Sequence, residues 1–280
     1  MSTSVSVALS TLAPLVHPLP DPIAFHIGPL PVHWYGIMYM LAFAQFLLVG
    51  KLRLNQPHNV AAGWKFEHLE DMLFYGVLGV VIGGRLGEVL FYHPQYYAQN
   101  PLEIFEVWKG GMSYHGGFLG VLIALALWSR KAQRNILDVY DLIAPLVPLG
   151  YAFGRLGNFI NAELWGRVAP ADLPWAMIWP NVDMLPRHPS PIYQALVDGL
   201  LAFILLWIYA RKQRPRLAVG AMYVLLYGCA RFFTEYFREP DWTVYVGSIP
   251  ISAGQALSVP MILFGIGALL FSYRNAAKVH

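Results

Sequence analysis

Seven apolar stretches of the length of a membrane-crossing helix recur along the chain, at about 34–50, 69–91, 113–129, 138–157, 191–210, 217–237 and 253–273. A helix needs about 20 such residues to cross the hydrocarbon core of a bilayer. There, only helices and closed barrels leave no backbone group unpaired. Charged residues make up 12% of the 280 positions, against about 25% in soluble domains. A soluble core of this size would still need a charged surface. The expected fold is therefore all-α: a polytopic membrane protein with about seven transmembrane helices forming a single domain over 1–280. Pro145 and Pro148 interrupt the fourth stretch, which neighbouring helices can accommodate.

The distribution of Lys and Arg predicts the orientation. Lys51, Arg53 and Lys65, then Arg130, Lys131 and Arg134, then Arg211, Lys212, Arg214 and Arg216, and finally Arg274 and Lys278 fall on one side if the helices alternate. That side is expected to be cytoplasmic, with the N-terminus outside and the C-terminus inside. The lead-in 1–32 has no Lys or Arg and six prolines, so it reads as irregular or surface-lying rather than as a secretory signal. Residues 94–112 and 167–190 are rich in Pro, Trp and Tyr. They are expected to form a small external interfacial cap, because amphipathic aromatics settle among headgroups; ordinary interfacial loops are the alternative.

Other classes are disfavoured. A net charge of +3 gives no large basic face for nucleic acid, and the single Cys229 excludes an internal disulfide and a cysteine metal cluster. Cys229 is expected to be a small packed residue within an apolar helix. The nine histidines form no zinc-type pair, and neither a P-loop nor a strand-linked Gly-rich fingerprint is present. No metal and no cofactor are expected.

The sorting leaves Arg85, Lys109, Arg155, Arg167, Arg187, Arg231 and Arg238 in apolar segments or on the outer side. A central arginine costs roughly 2.5–3.5 kcal/mol on insertion scales, so these seven form a functional shortlist. Two of them sit in polar clusters. "GRLGNFINAELWGR" (154–167) carries Arg155, Asn158 and Glu163, with Arg155 and Asn158 on one face if helical and glycines permitting close approach. "YGCARFFTEYFREPD" (227–241) spaces Tyr227, Arg231, Glu235 and Arg238 by 4, 4 and 3, again one helix face. Arginine's planar fork suits bidentate phosphate binding, so two such clusters at one level suggest an anion clamp. A buried Arg155–Glu163 pair and a salt-bridged helix end are the structural alternatives.

"GGMSYHGGFLG" (110–120) places His115 where the third helix begins. Backbone N–H groups there favour an anion, and a neutral imidazole could serve as general base; a capping role is the alternative. "HWYG" (33–36) puts Tyr35 at the start of the first helix, as an interfacial anchor or a donor to a lipid phosphate. "LPRHPS" (185–190) puts Arg187 and His188 ahead of the fifth. The clusters fit an enzyme, an anion transporter or channel, or a non-catalytic phospholipid-binding protein. A transporter would line both faces with arginines, whereas this shortlist stays near one.

The motif at 154–167 resembles the signature of bacterial prolipoprotein diacylglyceryl transferases. "HWYG", "GGMSYHGG", "LPRHPS" and "YGCARFFTEYFR" occur in that family's order, and the resemblance spans about 33–275. It implies transfer of the diacylglyceryl group of phosphatidylglycerol to the lipobox cysteine thiol of a preprolipoprotein signal peptide. By the same resemblance the reaction is expected at the outer face of the bacterial inner membrane, forming a thioether and releasing glycerol phosphate. It also implies that Tyr35, His115, Arg155, Asn158, Glu163, Tyr227, Arg231 and Glu235 fall on positions linked to lipid binding or activity. Arg155 and Arg231 would stabilise the charge growing on the departing phosphate, and His115 would take the thiol proton. Arg238, His188 and Asn161 would be rim residues. The chain departs from the family where a Tyr-Glu pair often follows His-Pro-Ser, here Tyr193-Gln194, and it is shorter than some members between Gly166 and Arg187.

Overall fold

The computed structural model describes residues 15–278 apart from 171 and 241; the stretch 1–14 of the lead-in and Asp241 lie outside the described residues. In chain order the elements are β1 (Leu15–Val16), β2 (Ile23–Ile27), β3 (Leu30–His33), α1 (Trp34–Leu54), α2 (Pro57–Ala61) and α3 (Phe66–Gly87). Next come α4 (Pro94–Gln99), α5 (Tyr114–Lys131), α6 (Ile136–Ile143), α7 (Val147–Ile160), β4 (Met177–Trp179) and β5 (Asp183–Arg187). The last are α8 (Ser190–Gln194), α9 (Ala202–Ala210), α10 (Ala218–Thr234), β6 (Thr243–Val246), β7 (Ile249–Ser252) and α11 (Ala253–Ala277).

Helix occupies each of the seven apolar stretches. Among the described residues, five runs are long and apolar enough to cross a membrane: Trp34–Leu54, Phe66–Tyr92, Ile136–Ile160, Ser190–Ala210 and Ala253–Ala277. Ala218–Thr234 is apolar but shorter. Tyr114–Lys131 has its apolar middle flanked by Tyr114 and His115 at one end and Arg130 and Lys131 at the other.

The chain is mostly helical rather than purely so. β2 and β3 form an antiparallel hairpin, β6 and β7 form another, and β1 pairs in parallel with β4, which pairs with β5. The described part of the lead-in is thus partly strand, largely exposed as a surface-lying segment would be. Proline blocks helix there, and buried or paired backbone groups still need partners.

The contacts divide the chain into two compact units. Of the described residues, one comprises those within 15–42, 148–205 and 224–266; the other comprises those within 43–147, 206–223 and 267–278.

In the second unit, Leu69, Met72, Leu125, Trp128, Val139, Leu142 and Leu146 form a buried core. Helices α3 and α5 meet through glycine. A Cβ on Gly79 would lie 2.6 Å from the Gly120 carbonyl oxygen, and one on Gly83 would strike the Gly116 carbonyl. Small residues at a four-residue spacing let two helix backbones touch.

The proline-broken stretch is continuous, with a single 3₁₀ turn at Ala144–Leu146 between α6 and α7. Pro145 cannot donate to the Asp141 carbonyl four residues earlier. Arg53 supplies that bond instead, donating from Nη2 to Asp141 (2.9 Å) and from Nε to Leu142 (2.8 Å), while Gln45 donates to Leu146 (2.9 Å). Arg53 is buried, so one residue counted above as a topological charge repairs a helix.

Residues 94–112, read above as cap, belong to this unit as α4 and two 3₁₀ turns. Residues 167–190 belong to the first unit and fold around β4 and β5. Cys229 lies within α10 but on its exposed face, not packed as expected.

Candidate functional site

The first unit assembles its polar chemistry around Tyr151. On α7, Tyr151 and Arg155 are one turn apart and so share a face. The Arg155 guanidinium carbon sits 4.6 Å from the Tyr151 ring centroid, a cation–π contact. The Tyr151 hydroxyl donates toward Gln194 Oε1 (3.3 Å) and Asp198 Oδ2 (3.2 Å). Tyr227 meets the same ring edge-on, with centroids 5.6 Å apart.

Arg231 approaches from α10, its Nη1 3.4 Å from Gln194 Oε1 and its Nη2 2.8 Å from Glu235 Oε2. Both guanidinium groups act electrostatically on Asp198. The two predicted clusters therefore converge, through Tyr151, Gln194 and Asp198.

Arg155 donates to Asn158 Oδ1 (3.1 Å), and Asn158 donates to Glu163 Oε2 (2.9 Å). The predicted i, i+3 pairing is present, and the direct Arg155–Glu163 ion pair is replaced by a relay. None of the ion pairs among the described residues includes Arg155. Its charge is thus ordered by a ring and an amide, with no carboxylate at ion-pair distance among the described residues. The relay depends on a tight reversal after α7, in which Ala162 (φ 56°) and Leu164 (φ 55°) adopt left-handed backbone. Such conformations persist where surrounding structure holds them. Asn161 buries its side-chain oxygen without a hydrogen-bond partner among the described residues.

Of the glycines in this motif, Gly157 faces the Tyr35 ring, where a Cβ would lie 3.0 Å away. Tyr35 in turn lies 5.3 Å from Tyr39, ring to ring. Gly166 admits a close backbone approach, since a Cβ there would strike the carbonyls of His188 and Phe237. Gly154 faces open space.

The second cluster is more structural than the spacing suggested. Helix α10 ends at Thr234, so Arg238 leaves the helical face and instead bridges Gly166 backbone to backbone. Glu235 is fully buried between Arg231 and Arg238, the latter at 3.6 Å. Neither carboxylate oxygen has a hydrogen bond of good geometry among the described residues, so this contact is ionic. The predicted salt-bridged helix end is present here, with Arg231 also reaching the Tyr151 cluster.

The rest of the shortlist sorts into scaffold. Arg187 binds Asp183 (2.7 Å) and Glu239 (3.3 Å) and donates to the Gly166 carbonyl (2.9 Å). Asp183 holds the Arg187 guanidinium charged, above its ordinary value, and is itself held low. Arg167 donates to the Arg238 carbonyl (2.9 Å), and Lys109 pairs with Glu106 (2.7 Å). His188 lies 3.2 Å from the Tyr193 hydroxyl, and burial lowers its pKa.

His115 belongs to the second unit, exposed in the first turn of α5. The Ser113 hydroxyl accepts from Gly116 N–H (3.1 Å) and caps that helix. Arg85 fastens the approach to it, donating to the carbonyls of Ile104 (2.9 Å), Gly110 (2.7 Å) and Glu103. Arg85 is therefore committed to backbone carbonyls.

Sequence reasoning missed Tyr151 and Asp198 and treated Gln194 only as a departure. Asp198 and Gln194 are fully buried, and the Thr234 hydroxyl donates to Asp198 (3.1 Å). A carboxylate in the middle of an apolar stretch was the available signal.

The first unit also holds an apolar cavity of about 230 Å³. Leu149, Phe153 and Leu156 of α7 line one side of it, and Ile192, Leu196 and Leu200 the other.

A family model for prolipoprotein diacylglyceryl transferase matches residues 22–271. The phosphatidylglycerol–prolipoprotein diacylglyceryl transferase of Janthinobacterium sp. (strain Marseille) is 71% identical over 260 residues, covering 93% of this chain and 98% of the relative. The proteins of the same name from Dechloromonas aromatica (strain RCB) and Cupriavidus pinatubonensis (strain JMP 134 / LMG 1197) are 56% and 54% identical. They cover 93% and 94% of this chain, and 98% and 95% of themselves. The polar cluster around Arg155 thus sits within a match that runs almost end to end, and the chain belongs to the prolipoprotein diacylglyceryl transferase family.

Proposed function

We propose that the chain transfers the diacylglyceryl group of phosphatidylglycerol to the lipobox cysteine thiol of a preprolipoprotein signal peptide, and that Arg155 and Arg231 grip the lipid phosphate. The observation that carries the clamp is the convergence of both guanidinium groups on Tyr151, Gln194 and Asp198, with Arg155 unpaired to any carboxylate in the described ion pairs. A guanidinium held rigid but not neutralised presents its remaining donors to an incoming phosphate.

The reaction breaks the bond between a glycerol carbon and the phosphate oxygen, and the sulfur takes that carbon. The electron pair stays on the departing glycerol phosphate, where charge grows. Fixed cationic donors in a water-poor site stabilise that charge without reorganising. Arg231 shares its charge with Glu235, so Arg155 carries the larger part. Asn158 and Glu163 hold Arg155 in place, Tyr35 and Tyr227 line the same unit, and the apolar cavity beside α7 takes an acyl chain.

The thiol has a reference pKa near 8.5 and attacks as thiolate. His115 is the proposed base. The nucleophile arrives on the substrate, so Cys229 has no part in the reaction. Seven helices spanning the bacterial inner membrane, with the N-terminus outside and the reaction at the outer face, complete the proposal. The support is the Lys and Arg distribution.

A two-substrate assay tests the reading. Purified protein, phosphatidylglycerol and a lipobox peptide should yield a thioether, and the Cys-to-Ser peptide should yield none. Binding of the lipid without turnover would leave only a lipid-binding protein, and anion flux in protein-only liposomes would favour a transporter.

A further inference from the structure

A polar cavity of about 300 Å³ lies in the other unit, and the proposed transfer makes no use of it. Arg53 from α1, Arg134 ahead of α6, and Lys212, Arg214 and Arg216 between α9 and α10 line it, against only Asp138 and Asp141. Its volume is that of about ten water molecules, enough for a phosphate group and its first hydration waters.

Both carboxylates are already engaged. Asp138 pairs with Arg216 (2.6 Å). Asp141 accepts from the N–H groups of Leu217 (2.6 Å) and Gly220 (2.7 Å), closing the start of α10. The described ion pairs engage no other cation of the cavity.

The guanidinium groups are nonetheless held in place. Arg134 donates to the carbonyls of Ala62 and Gly63 (both 2.7 Å) and stacks on Trp64, 4.6 Å from its centroid. Arg214 donates from Nε to the Tyr209 carbonyl (2.8 Å) and stacks on the Tyr209 ring (4.3 Å), leaving both its Nη groups to other partners. Lys212 is exposed at the same cavity.

Topology accounts for basic residues in a connection. It does not account for cations from three separate connections gathered on one cavity, two of them immobilised by rings and carbonyls.

We propose that this cavity binds a phosphate-bearing anion, either a free phosphate compound or a lipid headgroup. Arg214 supplies its Nη donors, Arg134 a fixed charge and Lys212 a mobile point charge. The cavity lies at helix ends, which is the depth of headgroups and of water. Basic pockets at that depth are suited to anionic headgroups.

The full-length protein in neutral detergent, titrated with inorganic phosphate by calorimetry, tests the first source. Phosphatidylcholine nanodiscs doped with phosphatidic acid, read by native mass spectrometry for retained lipid, test the second. Lys212→Glu, at an exposed position, and Arg214→Gln should each weaken binding about tenfold, the effect of losing one charge-assisted contact. The component of binding that Lys212→Glu removes should persist in Arg155→Gln, which lies in the other unit.

A phosphate response sensitive to Lys212→Glu identifies a free phosphate compound. Lipid retention sensitive to it, without a phosphate response, identifies a headgroup. The proposal is overturned if wild type binds neither probe, if sodium chloride at matched ionic strength reproduces the signal, or if binding ignores both variants. An unchanged unfolding midpoint for ligand-free Lys212→Glu shows that its fold is intact.

Discussion

The ring of Tyr151 lies beneath the guanidinium of Arg155 at 4.6 Å, while the hydroxyl of the same tyrosine is bound 3.2 Å from the buried carboxylate of Asp198. One side chain thereby positions the cation that should hold the lipid phosphate, and it is positioned in turn by an acid from another helical segment. The two ends of Tyr151 can be separated by mutation. Tyr151→Phe keeps the ring and should reduce phosphatidylglycerol affinity only modestly. Tyr151→Leu removes the ring and should weaken it by about 3- to 30-fold, the range of a partly desolvated cation–π contact. Equal effects in a lipid-binding titration would show that the ring does not place Arg155.

Asp198 accepts hydroxyl protons from Tyr151 and Thr234 at a fully buried position. Asp198→Ala removes the nearer acceptor of both donors, leaving Tyr151 only Gln194 at 3.3 Å and Thr234 only the Arg231 carbonyl at 3.4 Å. Losing these bonds, at about 1 kcal/mol each, should lower the thermal unfolding midpoint in detergent. Asp198→Asn keeps an acceptor oxygen and should recover part of that loss. Ala and Asn variants of equal stability would contradict the assigned hydrogen bonds.

His115 is exposed in the capped first turn of α5, and the proposal gives it the thiol proton. His115→Gln should slow thioether formation by about 10²–10⁴-fold, the usual contribution of a general base. Phosphatidylglycerol binding should stay at the wild-type level. Near-normal turnover in the purified assay would remove His115 from the mechanism.

His17 is buried, stacked on Trp179 at 4.5 Å, with Nε2 bonded to the Phe159 carbonyl (2.8 Å) and Nδ1 accepting from the Leu19 N–H (3.1 Å). Burial lowers its pKa below the ordinary value. The fold therefore favours the neutral ring. The stabilisation is complete above the unfolded value, about 6.5, and is lost as pH falls below it. Protonation would also remove the acceptor that Leu19 uses. Hydrogen exchange of peptides covering 15–19 and 177–187, corrected for intrinsic rates, should speed up between pH 7.5 and 5.5. The same comparison in His17→Phe should show no such pH step. Identical pH profiles in the two proteins would rule out His17 as the titrating group.

Periodic features of this chain were legible, and features set by backbone irregularity were not. The long apolar runs declared their helices, and Arg155 and Asn158 declared their pairing because three residues make most of a helical turn. The link from Asn158 to Glu163 passes through left-handed residues at Ala162 and Leu164, conformations that neither residue type announces. Asp198 lies in a π-helical stretch, Ala195–Leu201, where a wider turn shifts side chains off the expected face. Arg238 has the right spacing but follows the end of α10 at Thr234. Arg53 reads as a charge to be sorted by side and Arg85 as a member of the functional shortlist, yet each is committed to carbonyls that only the folded chain brings within reach.

The clamp is the centre of the account, and single-turnover thioether formation on a lipobox peptide tests it most directly. Arg155→Ala and Arg231→Ala should each slow the step about 100-fold or more, as loss of one fixed donor to a developing anion does, with Arg155→Ala the worse and peptide affinity unaltered. Wild-type rates and phosphatidylglycerol affinity in both variants would contradict it.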